Sequence, residues 1–160
     1  MTDRPSQLRT CPVASSIARG RRKARRLVPI RTKAKRTTPH NPTGSVTGRA
    51  DLDDLVAACR EHGVLLASDE CYADLYEGDP PPSALQVAGP GSRGVLSFLS
   101  LSKRSGMTGY RSGAIVGDPD AIAAIRQLRG SMGVSSAEFV QAAAVAAWSD
   151  DAHPAERRAV

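Results

Sequence analysis

Residues 100–113 read SLSKRSGMTGYRSG, a stretch that contains an SLSK motif ending at Lys103 and a GYR motif ending at Arg111. Two further motifs stand upstream, NPTG at residues 41–44 and DECY at residues 69–72. Each motif alone is weak, because a lysine after serines recurs by chance and an NPTG tetrapeptide is usually only a turn. Four motifs in series, in this order, are a strong signal for one site.

The residue types in these motifs are those needed to hold pyridoxal phosphate. A lysine forms the Schiff base, an arginine and a serine hold the phosphate, and a carboxylate keeps the pyridine nitrogen protonated. Asp69 is such a carboxylate, and its burial is costly unless a cation pairs with it. Lys103 is a nucleophile only when neutral, and Arg104 and Arg111 are close enough in sequence to supply positive charge that favours this state.

The order and spacing of the motifs resemble the large domain of the class I/II aminotransferases, the fold-type I pyridoxal phosphate enzymes, from Pro39 onward. The wording SDECYADLY and SLSKRSGMTGYRSG is most similar to succinyldiaminopimelate aminotransferases of lysine biosynthesis. The resemblance implies an α/β fold, an incomplete version of the three-layer α/β/α large domain. The resemblance also implies the site residues. Lys103 would be the Schiff-base lysine, Asp69 the partner of the pyridinium nitrogen, and Asn41 and Tyr72 would hydrogen-bond the ring's phenolic oxygen. Ser100 and Arg111 would bind the phosphate, and Ser102 belongs to the same cofactor-binding set. Lys103, Asp69 and Tyr72 are the members expected to act in catalysis.

The family transfers an amino group between an amino acid, here expected to be glutamate, and an oxo acid, and it works as homodimers. The freed amine of Lys103 is expected to carry the substrate α-proton as a general acid/base. Two alternatives stay open. Another pyridoxal phosphate chemistry, such as a C–S lyase, uses the same cofactor residues, whereas a non-enzymatic remnant or a basic binding protein needs none of them. Because fold-type I enzymes are much longer than 160 residues, the chain is expected to be a fragment.

Charge divides the chain into two parts. Residues 1–36 hold twelve Lys and Arg against one Asp, a net charge of +11, whereas the remainder carries ten basic and fifteen acidic residues, a net charge of −5. The basic part has little apolar periodicity and is not expected to fold alone. We therefore predict a basic segment over 1–36 that is disordered or non-homologous, and a partial aminotransferase large domain, the part that binds pyridoxal phosphate, over 39–160. The segment is interpreted as a nucleic-acid-binding tail, a transit peptide or, preferably, an altered or misframed start, so nucleic acid is a disfavoured partner.

The remaining composition is plain. No run approaches the roughly 20 apolar residues of a membrane span, and no secretory segment follows the N-terminus, so a cytoplasmic location without membrane association is predicted. The three cysteines lack CxxC spacing and are interpreted as reduced, structural thiols. The three histidines lack metal-ligand spacing, and no metal site is predicted.

Periodicity predicts alternating helices and strands. Helices are expected over 51–62, from 118 to about 128, and from 135 to 148, with strands at 64–67, 94–99 and 112–117. The strands at 64–67 and 94–99 end shortly before Asp69 and Ser100. Because ligands in open α/β sheets lie beyond the carboxyl ends of strands, Asp69 and Lys103 are expected to face one crevice. The helical faces expected to be apolar comprise Leu52, Leu55, Val56 and Cys59 in the first helix and Ala121, Ile122, Ile125 and Leu128 in the second.

Overall fold

The computed structural model describes residues 33–159, which form four strands and six α-helices. In chain order these are β1 (Lys33–Thr37), α1 (Arg49–Glu61), β2 (Leu65–Asp69), α2 (Ala84–Ala88), β3 (Val95–Ser100), α3 (Leu101–Arg104), β4 (Gly113–Gly117), α4 (Pro119–Met132), α5 (Glu138–Trp148) and α6 (Ala152–Arg158), with a 3-10 turn at Thr108–Tyr110 before β4.

The strands form one sheet in the order β1-β2-β3-β4. β1, β2 and β3 are mutually parallel, and β4 runs antiparallel to β3. The register sets Thr37 beside Asp69, Asp69 beside Phe98, and Ser100 beside Gly113. The carboxyl ends of the three parallel strands and the start of β4 therefore meet at one edge of the sheet. This mixed α/β architecture confirms the predicted fold class.

The core lies between the sheet and helices α1 and α2. Its buried members are Leu52, Val56, Cys59, Leu66, Ala84, Ala88 and Val95. The apolar face predicted for α1 is confirmed, since Leu52, Val56 and Cys59 are buried and Leu55 packs against them. Because side chains alternate along a strand, Leu66 and Val95 face this core while Asp69 and Ser100 face the other side of the sheet. Burial of one face thus decides which side carries the site.

Asp118 joins the start of α4 to the loop before β3. Its side chain is 9% exposed and accepts hydrogen bonds from the backbone N–H groups of Asp120, Ala121 and Gly94 at 2.9, 3.0 and 2.8 Å. Burial by itself raises the pKa of this carboxyl, but these backbone hydrogen bonds and the nearby Arg93 outweigh it and hold the pKa below its usual value. Asp118 therefore acts as an ionised N-cap.

β1 consists of KAKRT, and Lys33, Lys35 and Arg36 are exposed on it. Charged side chains are common on edge strands, where they discourage pairing with a further chain. The charge of residues 33–36 predicts that they belong to the basic segment, but in the structure they form part of β1 and so of the sheet. Residues 1–32 lie outside the described part of the chain, so the division at 36–39 and the interpretations of the basic segment stay predictions.

The C-terminal helices are less buried than their apolar residues suggest. α4 continues beyond the predicted end to Met132, and among its expected apolar positions only Ala121 is fully buried. Leu128 is 59% exposed, and Phe139 on α5 is 72% exposed. α5 is apolar but spans only 11 residues. Within residues 33–159 there is no helix with the length and apolar character needed to cross a membrane.

Candidate cofactor site

The candidate site lies at the carboxyl edge of the sheet, on the face opposite α1 and α2. Asp69 is the last residue of β2, and Ser100 is the last residue of β3. The backbone N–H of Thr38 donates to the carbonyl of Asp69 at 3.1 Å, and that of Glu70 donates to the carbonyl of Phe98 at 2.9 Å. These ladder bonds continue past the strand ends and hold the residues after each strand side by side, as the sequence predicts.

Lys103 is carried on the short helix α3, which begins directly after β3. The hydroxyl of Ser100 caps this helix by accepting a hydrogen bond from the backbone N–H of Ser102 at 3.2 Å. The ammonium of Lys103 lies over the ring of Tyr72, 5.1 Å from its centroid. Among the described residues it forms no ion pair and no hydrogen bond. Its nitrogen therefore faces the site without a carboxylate to hold it.

Asn41 and Tyr72 are brought together although 31 positions separate them. The amide Nδ2 of Asn41 donates to the hydroxyl of Tyr72 at 2.8 Å. The loop that carries Asn41 is tied down at Thr38, which is 1% exposed and accepts a hydrogen bond from the backbone N–H of Thr47 at 3.0 Å. The Asn41–Pro42 peptide bond is cis, and the Thr38–Pro39 bond is cis as well.

Asp69 already has a cationic partner in the structure. Nζ of Lys35 lies 3.5 Å from Oδ2 of Asp69, and the carboxylate side chain is 29% exposed. Its other oxygen accepts a long hydrogen bond, 3.4 Å, from the backbone N–H of Cys71. Asp69 is thus a half-buried carboxylate placed to neutralise a cation. The sequence did not reveal Lys35, because only the register of β1 against β2 brings it there.

Cys71 lies beside Asp69, whose carboxylate affects the pKa of the Cys71 thiol. Burial raises the pKa of the Cys71 thiol to about 11, and the neighbouring Asp69 carboxylate acts in the same direction, while Lys103 and Lys35 act in the opposite one. At neutral pH the thiol is therefore protonated and unreactive. This agrees with its interpretation as a reduced thiol, and burial likewise raises the pKa of Cys59.

Arg111 lies at the same edge of the sheet, but its side chain forms only one described hydrogen bond. The backbone N–H of Leu101 donates to the carbonyl of Ser112 at 3.2 Å, which brings the start of β4 next to α3. Arg111 has a left-handed backbone, with φ of 51°, and its Nη1 donates to the carbonyl of Thr108 at 3.4 Å. Its exposed guanidinium forms no described hydrogen bond with Ser100 or Ser102. Arg111 therefore lies at the same edge as Ser100 and Ser102 without a described hydrogen bond to either of them.

Arg104 has a structural role that the sequence did not indicate. Its side chain is 8% exposed; Nη2 donates to Oδ1 of Asp151 at 2.6 Å, and Nη1 donates to Oδ1 of Asp74 at 3.3 Å. The guanidinium also lies 5.4 Å from the ring centroid of Trp148. The expectation that Arg104 supplies positive charge to Lys103 is therefore wrong, because two carboxylates neutralise it. Instead it joins the helix carrying Lys103 to the C-terminal helices.

Glu70, next to Asp69, is a second residue whose role was missed. It is 3% exposed, and its carboxylate accepts hydrogen bonds from the hydroxyl of Ser83 at 2.7 Å and the backbone N–H of Ala84 at 3.0 Å. It thereby binds the start of α2 to the end of β2 and holds the chain that follows Asp69. The sequence shows only that an acidic residue stands inside the DECY motif. From that alone, a carboxylate that positions neighbouring elements cannot be told from one that is exposed to solvent.

The described residues fit the chemistry of pyridoxal phosphate. The ammonium of Lys35 occupies the cation position that a protonated ring nitrogen needs beside Asp69. Lys103 supplies an amine without an ion pair, and the Asn41–Tyr72 pair supplies hydrogen-bonding groups below it. Ser100, Ser102 and Arg111 stand at the neighbouring strand ends. The set thus contains an amine, a carboxylate and several hydrogen-bonding side chains at one edge of the sheet.

Comparison with known proteins shows which family the chain resembles. The family profile "Aminotransferase class I and II" matches residues 36–159. The chain is 42% identical over 124 residues to 4-dedimethylamino-4-oxo-anhydrotetracycline transaminase OxyQ of Streptomyces rimosus, covering 76% of this chain and 34% of that protein. It is 38% identical over 115 residues to LL-diaminopimelate aminotransferase 2 of Trichormus variabilis, covering 71% and 29%.

A solved structure agrees as well. The crystal structure of aminotransferase AspB from Helicobacter pylori superimposes with a TM-score of 0.76 and 37% identity, covering 79% of this chain and 35% of that one. The chain spans about a third of the length of the relatives it matches. The profile match and the identities place the described fold and the four motifs in one family. The chain belongs to the class I and II aminotransferases, a family of pyridoxal-phosphate-dependent enzymes.

Proposed function

We propose that this chain carries the cofactor-binding part of an aminotransferase that moves an amino group between an amino acid, glutamate, and an oxo acid. One observation carries the proposal: the amine of Lys103, which forms no ion pair within residues 33–159, lies 5.1 Å from the ring centroid of Tyr72, whose hydroxyl accepts a hydrogen bond from Asn41. Asp69 lies at the same sheet edge, beside a cation. An amine, a carboxylate and hydrogen-bonding groups at one edge are what the cofactor requires.

Pyridoxal phosphate, when bound, supplies a ring that accepts the electron pair left on the substrate α-carbon when its proton is removed. The residues of this chain that would hold it are Lys103 by a covalent bond, Asp69 at the ring nitrogen, Asn41 and Tyr72 at the phenolic oxygen, and Ser100, Ser102 and Arg111 at the phosphate. Three of these residues also serve the reaction.

Lys103 is the general base and acid of the proposed reaction. As a free, neutral amine, Nζ would accept the proton from the substrate α-carbon and, as an ammonium, would return it in the later proton-transfer step. The ring centroid of Tyr72 lies 5.1 Å from Nζ of Lys103, so a cation–π contact would hold Nζ in place while it carries the proton. Asp69 is the carboxylate that would oppose positive charge at the ring nitrogen. The three residues thus divide proton transfer, orientation and charge compensation among themselves.

For the substrate, we propose a succinyldiaminopimelate-type amino donor or acceptor. The support is the wording of SDECYADLY and SLSKRSGMTGYRSG, together with the similarity to an LL-diaminopimelate aminotransferase. OxyQ is named as a 4-dedimethylamino-4-oxo-anhydrotetracycline transaminase, so relatives of similar identity are named for dissimilar substrates. Homodimer formation and a cytoplasmic location belong to the same proposal.

The proposal is tested by locating the cofactor on the full-length chain. The protein is titrated with pyridoxal phosphate while absorbance is followed at about 400 nm. It is then treated with borohydride, and the modified residues are located by peptide mass spectrometry. We expect the modification on the peptide containing Lys103 and its loss in Lys103→Ala. Lys33→Ala, which removes another lysine of the sheet, is the matched control and should keep the modification. Equal modification of many surface lysines, unchanged in Lys103→Ala, would reject the assignment.

A further inference from the structure

A serine, a histidine and an aspartate lie in contact where the end of α3 meets the start of α6. Nε2 of His153 lies 2.8 Å from Oγ of Ser105, although 48 positions separate the two residues. Nδ1 of the same ring lies 3.1 Å from Oδ2 of Asp150. The imidazole therefore has a hydroxyl at one nitrogen and a carboxylate at the other. This is the order of contacts that activates a serine nucleophile in hydrolytic enzymes.

Asp150 is placed to act on His153 as an anion. The backbone N–H of Ala152 donates to Oδ1 of Asp150 at 2.8 Å. This hydrogen bond, together with His153, holds the pKa of the Asp150 carboxyl below its usual value, although desolvation acts in the opposite direction. A carboxylate beside Nδ1 favours the tautomer that carries its proton on that nitrogen. Nε2 is then free to accept the proton of the Ser105 hydroxyl.

Arg104 holds the two elements of this cluster together. It directly precedes Ser105, and its Nη2 donates to the carbonyl of Asp150 at 3.1 Å and to the carboxylate of Asp151 at 2.6 Å. Its side chain is buried. Because one buried guanidinium joins the end of α3 to the turn before α6, the Ser105 hydroxyl and the His153 ring are positioned before any ligand binds.

Hydrogen-bond donors lie next to the Ser105 hydroxyl. The backbone N–H of Gly106 has no hydrogen-bond partner within residues 33–159. A Cβ added at Gly106 would collide with Nη1 of Arg157, so this guanidinium lies against the residue that follows the serine. Arg157 forms no ion pair in the same part of the chain. Both groups are free to stabilise the negative charge that develops on a carbonyl oxygen when a hydroxyl attacks it.

An apolar pocket of about 350 Å³ begins at Gly106. Its apolar side chains are Met107, Tyr110, Phe139 and Val140, and no charged residue lines it. Ligand pockets in proteins commonly have volumes of about 300–1,000 Å³, so this one accepts a small group. Because the pocket starts at the residue after Ser105, an apolar acyl chain inside it would extend towards the serine.

We propose that Ser105, His153 and Asp150 form a nucleophilic serine site that hydrolyses esters of small apolar carboxylic acids. Oγ of Ser105 forms a bond to the acyl carbon while Nε2 of His153 takes the hydroxyl proton. The bond from the acyl carbon to the alcohol oxygen breaks, and His153 gives the proton to that oxygen. Water then attacks the acyl-serine ester, again with His153 moving the proton, so that the carboxylic acid leaves and the hydroxyl is restored. The reaction consumes only the ester and water, and it is independent of the proposed aminotransferase function.

A fluorophosphonate probe tests the nucleophile directly on the full-length chain. The probe phosphonylates activated serines, and peptide mass spectrometry locates the modified residue. We expect the label on Ser105 and its loss in Ser105→Ala. His153→Gln should slow labelling by about 100-fold or more, because the general base is removed. Ser131→Ala removes an exposed serine of α4 that has no histidine partner in the described chain, and this matched control should label as the unmodified chain does.

Hydrolysis of p-nitrophenyl acetate and p-nitrophenyl butyrate gives a second measurement. Asp150→Asn keeps an oxygen for the Ala152 N–H but loses the negative charge, and we expect hydrolysis to slow by about tenfold or more. Asp150→Glu restores the charge and should recover part of the rate, whereas a merely structural role would not distinguish the two variants. Phe139→Ser should reduce the preference for butyrate over acetate and leave acetate hydrolysis unchanged, because the pocket is altered and the serine is not.

The label is located in the unmodified chain, so a variant that does not fold leaves the main test intact. A probe that labels Ser105 no faster than Ser131 would overturn the proposal, and so would undiminished labelling in folded His153→Gln. Equal hydrolysis rates for Asp150→Asn and Asp150→Glu would remove Asp150 from the site. An unchanged butyrate preference in Phe139→Ser would overturn the assignment of the acyl group to the pocket. Since no pyridoxal phosphate is added, the outcome at Lys103 does not affect these results, and the reverse also holds.

Discussion

Nζ of Lys35 lies 3.5 Å from Oδ2 of Asp69, so an exposed lysine of the edge strand forms an ion pair with the carboxylate proposed to bind the cofactor's ring nitrogen. The lysine is 70% exposed and the carboxylate 29%. Solvent screens such a pair, which limits its strength to about 0.2–1 kcal/mol. The pair shows that the position beside Asp69 accepts a cation. Under the proposed function, the ammonium of Lys35 therefore competes with the cofactor's ring nitrogen for this carboxylate.

Replacing Lys35 should strengthen cofactor binding. Lys35→Met removes the competing ammonium, and we expect the dissociation constant for pyridoxal phosphate to fall by about two- to fivefold at low salt. The gain should shrink at high ionic strength, because salt already screens the pair. Absorbance titrations at two salt concentrations measure both effects. Lys33→Met, on the same strand and without a described ion pair, should leave the constant unchanged, and weaker binding by Lys35→Met would contradict the competition.

The reactivity of Cys71 should report the charge of Asp69 without any cofactor. Burial and the Asp69 carboxylate raise the pKa of this thiol to about 11, so little thiolate exists at pH 8. Asp69→Asn removes the negative charge and should lower the pKa, speeding alkylation several-fold, on the order of threefold or more. Lys35→Met removes a charge that lowers the pKa and should slow alkylation. Peptide-level mass spectrometry after iodoacetamide pulses gives the rates, and identical rates in both variants would refute this electrostatic account.

Asp118→Ala should destabilise the fold in a pH-dependent way. The folded-state pKa of Asp118 is lowered, so its ionised form stabilises the protein above the unfolded pKa, and this contribution is lost as pH falls through the folded pKa. We expect a loss of about 1–2 kcal/mol at pH 7, typical of an N-cap, that shrinks below about pH 4. Urea unfolding across pH measures it. Asp53→Ala, at an exposed position of α1, is the control, and a loss that does not depend on pH would argue against ionisation.

Arg104→Met should loosen the attachment of α3 to the C-terminal helices. The variant removes hydrogen bonds to Asp74 and Asp151. Because Asp151 is 95% exposed, it regains water, and the expected loss of unfolding free energy is modest, about 1–3 kcal/mol. Chemical denaturation gives the value, with Arg129→Met on the exposed side of α4 as the control. If both variants lose equally little, Arg104 does not hold these elements together.

The sequence alone was sufficient for the parts of this protein that depend on local pattern. The spacing of Leu52, Val56 and Cys59 identified helix α1, because a helix that packs on a sheet buries one side chain in every three or four. Apolar runs that end before Asp69 and Ser100 identified two strands. Since the carboxyl ends of adjacent parallel strands meet at one edge, the sequence also predicted that these residues lie together.

The tertiary structure alone decided which distant groups became partners. Nothing in the wording KAKRT indicates a strand, and Lys35 meets Asp69 only because β1 pairs with β2 in one register. Arg104 and Arg111 are similar in sequence context, yet one is buried between carboxylates and the other is exposed. His153 meets Ser105 although 48 positions separate them in the sequence. Periodicity reports how each segment is buried, whereas ion pairs and clefts arise from packing between segments that no local pattern encodes.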